Sequence, residues 1–129
     1  MSSYRLDHLV LTVQNIERTS QFYQQVLDIP TVSFGTNRKA LLLGSQKINL
    51  HPASQPLKPH AQSPVPGSAD ICLITDTPIP ILVERFHEKG IPIIEGPVQR
   101  TGAQNPLLSI YIRDPDNNLI EIANEQCVS

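Results

Sequence analysis

The sequence predicts an α+β fold built from two βαβββ modules. Each half of the chain has a strand-like segment, then an amphipathic helical segment, then three more strand-like segments. The run from Phe22 to Pro30 in the first half has a counterpart from Phe86 to Pro92 in the second. One such module leaves a sheet face bare, so it must pack on a twin within the chain or across a dimer. The predicted single domain, 1–129, consists of a module 1–52, a linker 53–67 and a module 68–129.

Length, composition and charge exclude several classes of protein. The 129 residues are 40% hydrophobic, and a chain of this length forms a core without disulfide or metal staples. Ten basic and twelve acidic residues give a formal charge of -2 without a basic stripe, so a nucleic-acid partner is not expected. The sequence has no apolar run near the roughly 20 residues of a membrane span and no signal-type N-terminus, which predicts a cytoplasmic protein without a membrane partner. Cys72 and Cys127 are expected to be free thiols there.

The first module is predicted to be a strand over residues 5–13, a helix and three more strands. Asn15 offers a side-chain oxygen as the N-cap of the helix. Apolar residues at helical spacing continue to about Asp28, and Pro30 follows the end of the helix. Turn residues then separate three predicted strands, at 31–34, 39–43 and 47–51.

The second module follows a proline-rich linker. Residues 52–67 contain five prolines, too many fixed φ angles and missing N–H donors for a helix or a central strand. Thr77 is predicted as the N-cap of the second helix, with Pro78 at its first position and Gly90 at its end. The strands of this module are predicted at 69–75, 91–95, 107–113 and 119–124.

Strand alternation places ligand-type side chains on the polar faces of both sheets. The apolar residues on either side of Asn49 and of Glu121 claim the core side, so these two residues point the other way. The first and last strands of each module thus each present one such group: His8, His51, Asp70 and Glu121. If the faces converge, this set suits a divalent first-row metal, Fe, Mn, Ni, Co or Zn, rather than structural zinc, which prefers thiolates. The alternative is four separate, solvated polar residues.

Three segments resemble the vicinal oxygen chelate superfamily, which includes glyoxalases, bleomycin-resistance proteins and extradiol dioxygenases. They are LDHLVLTV with its early His, FYQQVLDI in the first helix and IRDPDNNLIEIAN at the end, and the resemblance covers nearly the whole chain. It implies a curved mixed sheet around a metal cleft, with one divalent first-row metal per site held by His8, His51 and Glu121. Asp70 stands where a second His is usual, so it would ligate, orient a ligand or act as a base.

The resemblance also implies a class of reaction. The metal would hold two adjacent oxygens of a small substrate, and Glu121, or Asp70 if it is not a ligand, would move a proton. Glyoxalase-like lyase or isomerase chemistry is favoured over an extradiol dioxygenase, since many of those have four modules. A metal-free small-molecule binding protein of the bleomycin-resistance type is the alternative from another class. A thiol transferase of the fosfomycin-resistance type would need His at position 70. A homodimer is expected, as in many family members.

Three further residues are candidates for substrate binding: Asn49, Arg100 and Tyr111. Arg100 is predicted to lie in the loop before the seventh strand, where it would clamp a carboxylate or phosphate or else be solvated. Tyr111 would line the cavity or simply pack. The closing turn has Asn117 where a left-handed residue is expected, and we interpret the turn as structural, setting the register of the last strand and so aiming Glu121.

Overall fold

The structure is a computed structural model that describes residues 3–126, so the predicted free thiol of Cys127 lies outside the described residues. Ten elements follow one another in the described part of the chain: β1 (His8–Val13), α1 (Ile16–Leu27), β2 (Thr31–Phe34), β3 (Arg38–Leu43), β4 (Gln46–Pro52), β5 (Asp70–Ile74), α2 (Ile79–Glu88), β6 (Glu95–Thr101), β7 (Pro106–Arg113) and β8 (Leu119–Glu125). This order confirms the predicted α+β fold of two βαβββ modules. Within residues 3–126, no helix is both long and apolar enough to cross a membrane.

The chain divides into two compact units, unit 1 (Met1–Ser68) and unit 2 (Ala69–Ser129). Each unit has a four-stranded mixed sheet and one helix. The strand order is β1-β4-β3-β2 in unit 1 and β5-β8-β7-β6 in unit 2. In each sheet the first two strands of that order run parallel and the other neighbours run antiparallel. The two units therefore repeat one topology.

Unit 1 buries the apolar face of its sheet and part of α1. Asn15 Oδ1 accepts a hydrogen bond from Arg18 N at 2.9 Å, and the chain leaves the helix at Asp28 with a left-handed φ of 55°, as the sequence predicts for the start and end of α1. The buried apolar side chains of this unit are Leu11, Val13, Tyr23, Ala40, Leu41, Ile48 and Leu50. Leu50 pairs with Leu11, and Ile48 with Leu9, so the apolar face of β4 is continuous with that of β1.

Unit 2 has the same arrangement, but α2 begins differently from the prediction. The buried apolar side chains include Ile79, Leu82, Phe86, Ile110, Ile112, Ile120 and Ile122. Pro78, and not Thr77, is the N-cap residue, and its side chain has no atom that could accept a hydrogen bond from the first turn of the helix. Asn124 of β8 takes this role, because its Oδ1 accepts from Ile79 N at 2.8 Å while its Nδ2 donates to Thr75 O and Thr77 O. A strand residue 45 positions away thus satisfies the helix start.

Two predicted strands differ from the structure by more than one residue at an end. β1 begins at His8 rather than at residue 5, and β6 covers Glu95–Thr101 rather than 91–95. Pro92 has no N–H for a ladder, and β6 is an edge strand that tolerates Pro97 beside a register shift between Glu95 and Val98. Arg100 consequently lies on a strand and not in the predicted loop.

Candidate functional site

The polar face of unit 1 is formed by alternate residues of β1 and β4. In the parallel register, Val10 pairs with Asn49 and Thr12 with His51. Residues paired across strands point to the same side, so His8, which is two residues before Val10, shares this face with Asn49 and His51. Of the three, only His8 is exposed, whereas Asn49 and His51 are buried and Asn49 pairs with the core residue Ala40 of β3.

His8 is exposed and has a carboxylate partner. Its Nδ1 lies 2.8 Å from Asp7 Oδ2. A carboxylate that holds one ring nitrogen fixes the orientation of the imidazole and leaves the other nitrogen to a ligand, which is the usual state of a metal-binding His. His8 with Asp7 therefore suits a metal ligand chemically.

The structure does not bring His8 and His51 together. His8 pairs with Lys47, four residues before His51 in β4. At about 3.3 Å per residue, the two Cα atoms are about 13 Å apart along the strands. The register thus sets His8 and His51 four residues apart along the sheet, and their sharing of one metal ion stays a prediction.

The register of unit 2 shows which residues correspond between the repeats. Asp70 pairs with Leu119 and Cys72 pairs with Glu121, so Glu121 is offset by two positions from Asp70. Asn49 has the same offset of two from His8. The repeat therefore aligns His8 with Asp70 and Asn49 with Glu121. The sequence analysis predicted His51, and not Asn49, as the metal-ligating residue of β4. Alternation places both residues on one face and cannot choose between them.

Asn49 and His51 are nevertheless unusual, because both are buried polar side chains. Asn49 is 5% exposed and His51 is 9% exposed. Asn49 Oδ1 and His51 Nε2 have no hydrogen-bond partner among the described residues. Burial, and next the positive charge of Arg38, lower the pKa of His51 from its ordinary value of 6.5. His51 is therefore a neutral imidazole at pH 7.

Glu121 stands in a row of side chains that crosses the sheet of unit 2. Its partner in β5 is Cys72 and its partner in β7 is Tyr111, which in turn pairs with Glu95 of β6. Arg100 Nε donates to Tyr111 Oη at 2.8 Å, and Arg100 Nη2 lies 3.4 Å from Glu95 Oε2. These contacts hold the guanidinium of Arg100 over the row, next to Glu121.

Cys72 is an exposed free thiol that the sequence left without a role. Desolvation of the thiol, and next the charge of Glu121 with which it hydrogen-bonds, raise its pKa to about 11. The thiol is protonated at neutral pH, so Cys72 is a poor nucleophile. Its contact with Glu121 was not apparent in the sequence, because it depends on the pairing of β5 with β8.

Two cavities open on this face of unit 2, with volumes of about 590 and 430 Å³. Arg100 and Glu121 line both of them. Cys72 lines the larger cavity, and Asp70 and Tyr111 line the smaller one. Four of the predicted site residues, Asp70, Arg100, Tyr111 and Glu121, therefore lie together in unit 2, whereas His8, Asn49 and His51 lie in unit 1. Within residues 3–126, no group of three or more His, Cys, Asp or Glu side chains is arranged to hold a metal ion.

Comparisons with known proteins agree on one family. The profile of the Glyoxalase/Bleomycin resistance protein/Dioxygenase superfamily matches residues 5–122. Virulence protein STM3117 of Salmonella typhimurium is 56% identical over 119 residues, which cover 92% of this chain and 83% of the relative. The glyoxalase domain-containing protein RDO1 of Mycosarcoma maydis is 48% identical over 126 residues, covering 98% and 71%.

Solved structures show the same fold. The crystal structure of STM3117 matches with a TM-score of 0.94 over 98% of this chain and all of that one, at 54% identity. A fosfomycin resistance protein of Listeria monocytogenes, FosX, complexed with Mn(II) and 1S,2S-dihydroxypropylphosphonic acid, matches with a TM-score of 0.64 at 21% identity, over 95% and 90% of the two chains. The chain therefore belongs to the glyoxalase, bleomycin resistance protein and dioxygenase superfamily.

Proposed function

We propose that the chain is a divalent-metal-dependent enzyme that binds vicinal oxygens of a small substrate and catalyses a glyoxalase-like lyase or isomerase reaction. The proposal depends mainly on one observation. The two units repeat the same two-residue offset between a polar side chain on the first strand and one on the last, His8 with Asn49 and Asp70 with Glu121. Membership of the superfamily supports it, and so does the Mn(II) of the FosX complex.

His8 and Glu121 are the proposed metal ligands. His8 fits this role because Asp7 holds its Nδ1, and Glu121 fits because it is half-buried at the edge of two cavities. A divalent first-row ion such as Fe, Mn, Ni, Co or Zn would supply a Lewis acid for the substrate oxygens. His51 is the third predicted ligand, and it lies four residues beyond the β4 partner of His8, so the experiment below tests His8 and Glu121 first.

The other side chains have roles that follow from their positions. Glu121 is also the proposed base, since its half-buried carboxylate at the edge of both cavities would accept a proton from a bound substrate. Asp70 lines the smaller cavity with Glu121 and is the second candidate for the base. Arg100 and Tyr111, joined by their hydrogen bond, and Asn49 are proposed to bind substrate. The same ligands would also serve an extradiol-type dioxygenase. Reaction with catechols in air distinguishes this enzyme from a lyase or isomerase.

A binding protein without turnover is the second candidate. The observation in its favour is that the described residues contain no cluster of three ligand-type side chains. In that case the cavities of about 590 and 430 Å³ would hold a small molecule through Arg100 and Tyr111 alone. In either case we expect a cytoplasmic protein that forms a homodimer. Light scattering after size-exclusion chromatography tests the dimer.

Metal content tests the first candidate directly. Protein purified without chelator and loaded with Mn, Fe, Co, Ni or Zn salts is expected to retain about one ion per chain by elemental mass spectrometry. His8→Ala and Glu121→Gln are expected to lose it. The matched controls are His60→Ala, an exposed His of the linker, and Glu84→Gln on α2. Loaded protein is then screened with α-ketoaldehydes, vicinal diols and catechols, with and without air.

Two results would overturn the metal-dependent enzyme. One is the absence of bound metal after loading, which favours the binding protein. The other is equal metal retention by His8→Ala and its control His60→Ala, which removes His8 from the site.

A further inference from the structure

Charge is distributed unequally between the two units. Unit 1 has six Lys and Arg residues against three Asp and Glu, whereas unit 2 has four against nine. The formal charge of -2 is therefore the sum of +3 for unit 1 (6 − 3) and -5 for unit 2 (4 − 9). In the basic unit, two of the basic side chains, Arg38 of β3 and Lys47 of β4, lie beside Asn49 and His51.

The two basic side chains meet at one aromatic ring. Lys47 Nζ lies 4.0 Å from the centroid of the Phe34 ring, and Arg38 Cζ lies 4.6 Å from the same centroid. Each contact is a favourable cation–π interaction, but two positive charges near one ring repel each other. An anion bound between them would offset that repulsion.

The acidic residues of unit 1 do not provide this anion. Asp7 contacts His8, Glu17 forms an ion pair with Lys39, and the third acidic residue, Asp28, is the C-cap residue of α1. Within residues 3–126, neither Arg38 nor Lys47 forms an ion pair with a carboxylate. Both are half-buried, so the two charges are partly shielded from bulk water without a protein counter-ion.

Buried polar atoms lie next to these charges. Lys47, Asn49 and His51 alternate along β4 and therefore share one face. Lys39 of β3 pairs with Leu50 of β4, so Arg38 lies beside His51 across the two strands. Asn49 and His51 are more than nine-tenths buried, and each has a side-chain polar atom without a partner among the described residues. A buried polar atom without a hydrogen bond lowers the free energy of unfolding, unless a bound ligand supplies the missing hydrogen bond.

We propose that this face of unit 1 binds the oxyanion of a small molecule, a carboxylate or phosphate-type group, through Arg38 and Lys47, with Asn49 and His51 as neutral hydrogen-bonding groups. Arg38 supplies a planar fork for two oxygens and Lys47 a single charge. Phe34 contacts the charged groups of both side chains through its ring and so keeps them on this face. The inference that the substrate of the enzyme carries such an oxyanion rests on the proposed function. The inference that this face binds an oxyanion does not depend on it.

Binding of simple oxyanions to the metal-free protein tests the site. Protein treated with chelator and dialysed is titrated with inorganic phosphate and, separately, with acetate, at constant ionic strength and pH 7.5. The shifts of the His51 imidazole and of the β4 amides are followed by NMR. We expect saturable binding that shifts these signals, weakened about tenfold by Lys47→Gln or by Arg38→Gln, as for loss of a charge-assisted hydrogen bond.

The control removes the same charge elsewhere in unit 1. Lys58→Gln lies in the linker, where Lys58 is exposed, and is expected to bind phosphate like the parent protein. Tighter binding of phosphate assigns a phosphate-type group, and tighter binding of acetate assigns a carboxylate. Equal weakening by Lys58→Gln and Lys47→Gln, or no saturable binding of either anion, would overturn the proposal. Since no metal is present, these results are separate from those on His8 and Glu121.

Discussion

The side-chain amide of Asn118 donates a 2.8 Å hydrogen bond to Asp114 Oδ2 inside unit 2. The other oxygen of Asp114 accepts from the Asn118 and Asp116 backbone N–H groups, and Asn118 Oδ1 accepts from Ala69 N at 2.9 Å. Both side chains are buried. The closing turn is thereby tied to the residue before β5, which aligns β5 with β8 and places Asp70 and Cys72 beside the strand of Glu121.

Replacement of Asn118 should destabilise unit 2. Asn118→Ala removes the bond to Asp114 and the acceptor for Ala69 N, and leaves buried polar groups without partners. We expect a loss of about 2–4 kcal/mol in the free energy of unfolding, measured by urea denaturation. Asn105→Ala, which breaks an exposed bond to Glu125, is the control and should cost less than about 1 kcal/mol. Similar losses in both variants would contradict a structural role for the closing turn.

Gly96 is required by the close approach of β6 to β7. Its φ is 105°, and an added Cβ would lie 2.4 Å from Ser109 O. Gly96→Ala should therefore lower the free energy of unfolding by at least about 2 kcal/mol. Gly44→Ala is the matched control, since its φ is 58° with nothing within 4 Å of the added Cβ, and should cost about 1 kcal/mol. A smaller loss for Gly96→Ala than for the control would show that β6 can move away.

The reactivity of Cys72 should report the charge of Glu121. In a Cys127→Ser background, the rate of alkylation by iodoacetamide should rise with pH towards the thiol pKa of about 11. Glu121→Gln removes a negative charge that disfavours the thiolate, so the pKa should fall and alkylation at pH 8 should become faster. Glu125→Gln, on the same strand and the same cavity, should have little effect. Unchanged rates with Glu121→Gln would show that the two side chains do not interact.

The lowered pKa of His51 predicts a pH dependence of stability. Below pH 6.5 the unfolded chain binds a proton at this residue while the folded chain does not, until the lower folded pKa is reached. The free energy of unfolding should therefore fall as the pH falls through 6.5, by at most about 1.4 kcal/mol per pH unit. His51→Asn should remove this contribution, and His60→Asn, at an exposed position, should not. An NMR titration of His51 with a midpoint at or above 6.5 would contradict the prediction.

Much of the architecture follows from local patterns. Asn15 and the helical spacing after it predict α1 because a cap and its helix lie within a few residues of each other. Asn117 has a φ of 66°, as its place in the closing turn predicts. The polar faces of β1, β4 and β8 follow from two-residue alternation, which needs no knowledge of neighbouring strands.

Other features depend on residues that are far apart in the chain. Asn124 caps α2 across 45 positions, and the edge position of β6 decides where that strand ends. The pairing of His8 with Lys47, which separates His8 from His51, is a matter of strand register. Alternation tells which side chains share a face but not how far along it they lie. That distance is set by hydrogen bonds between strands, and only the folded sheet determines them.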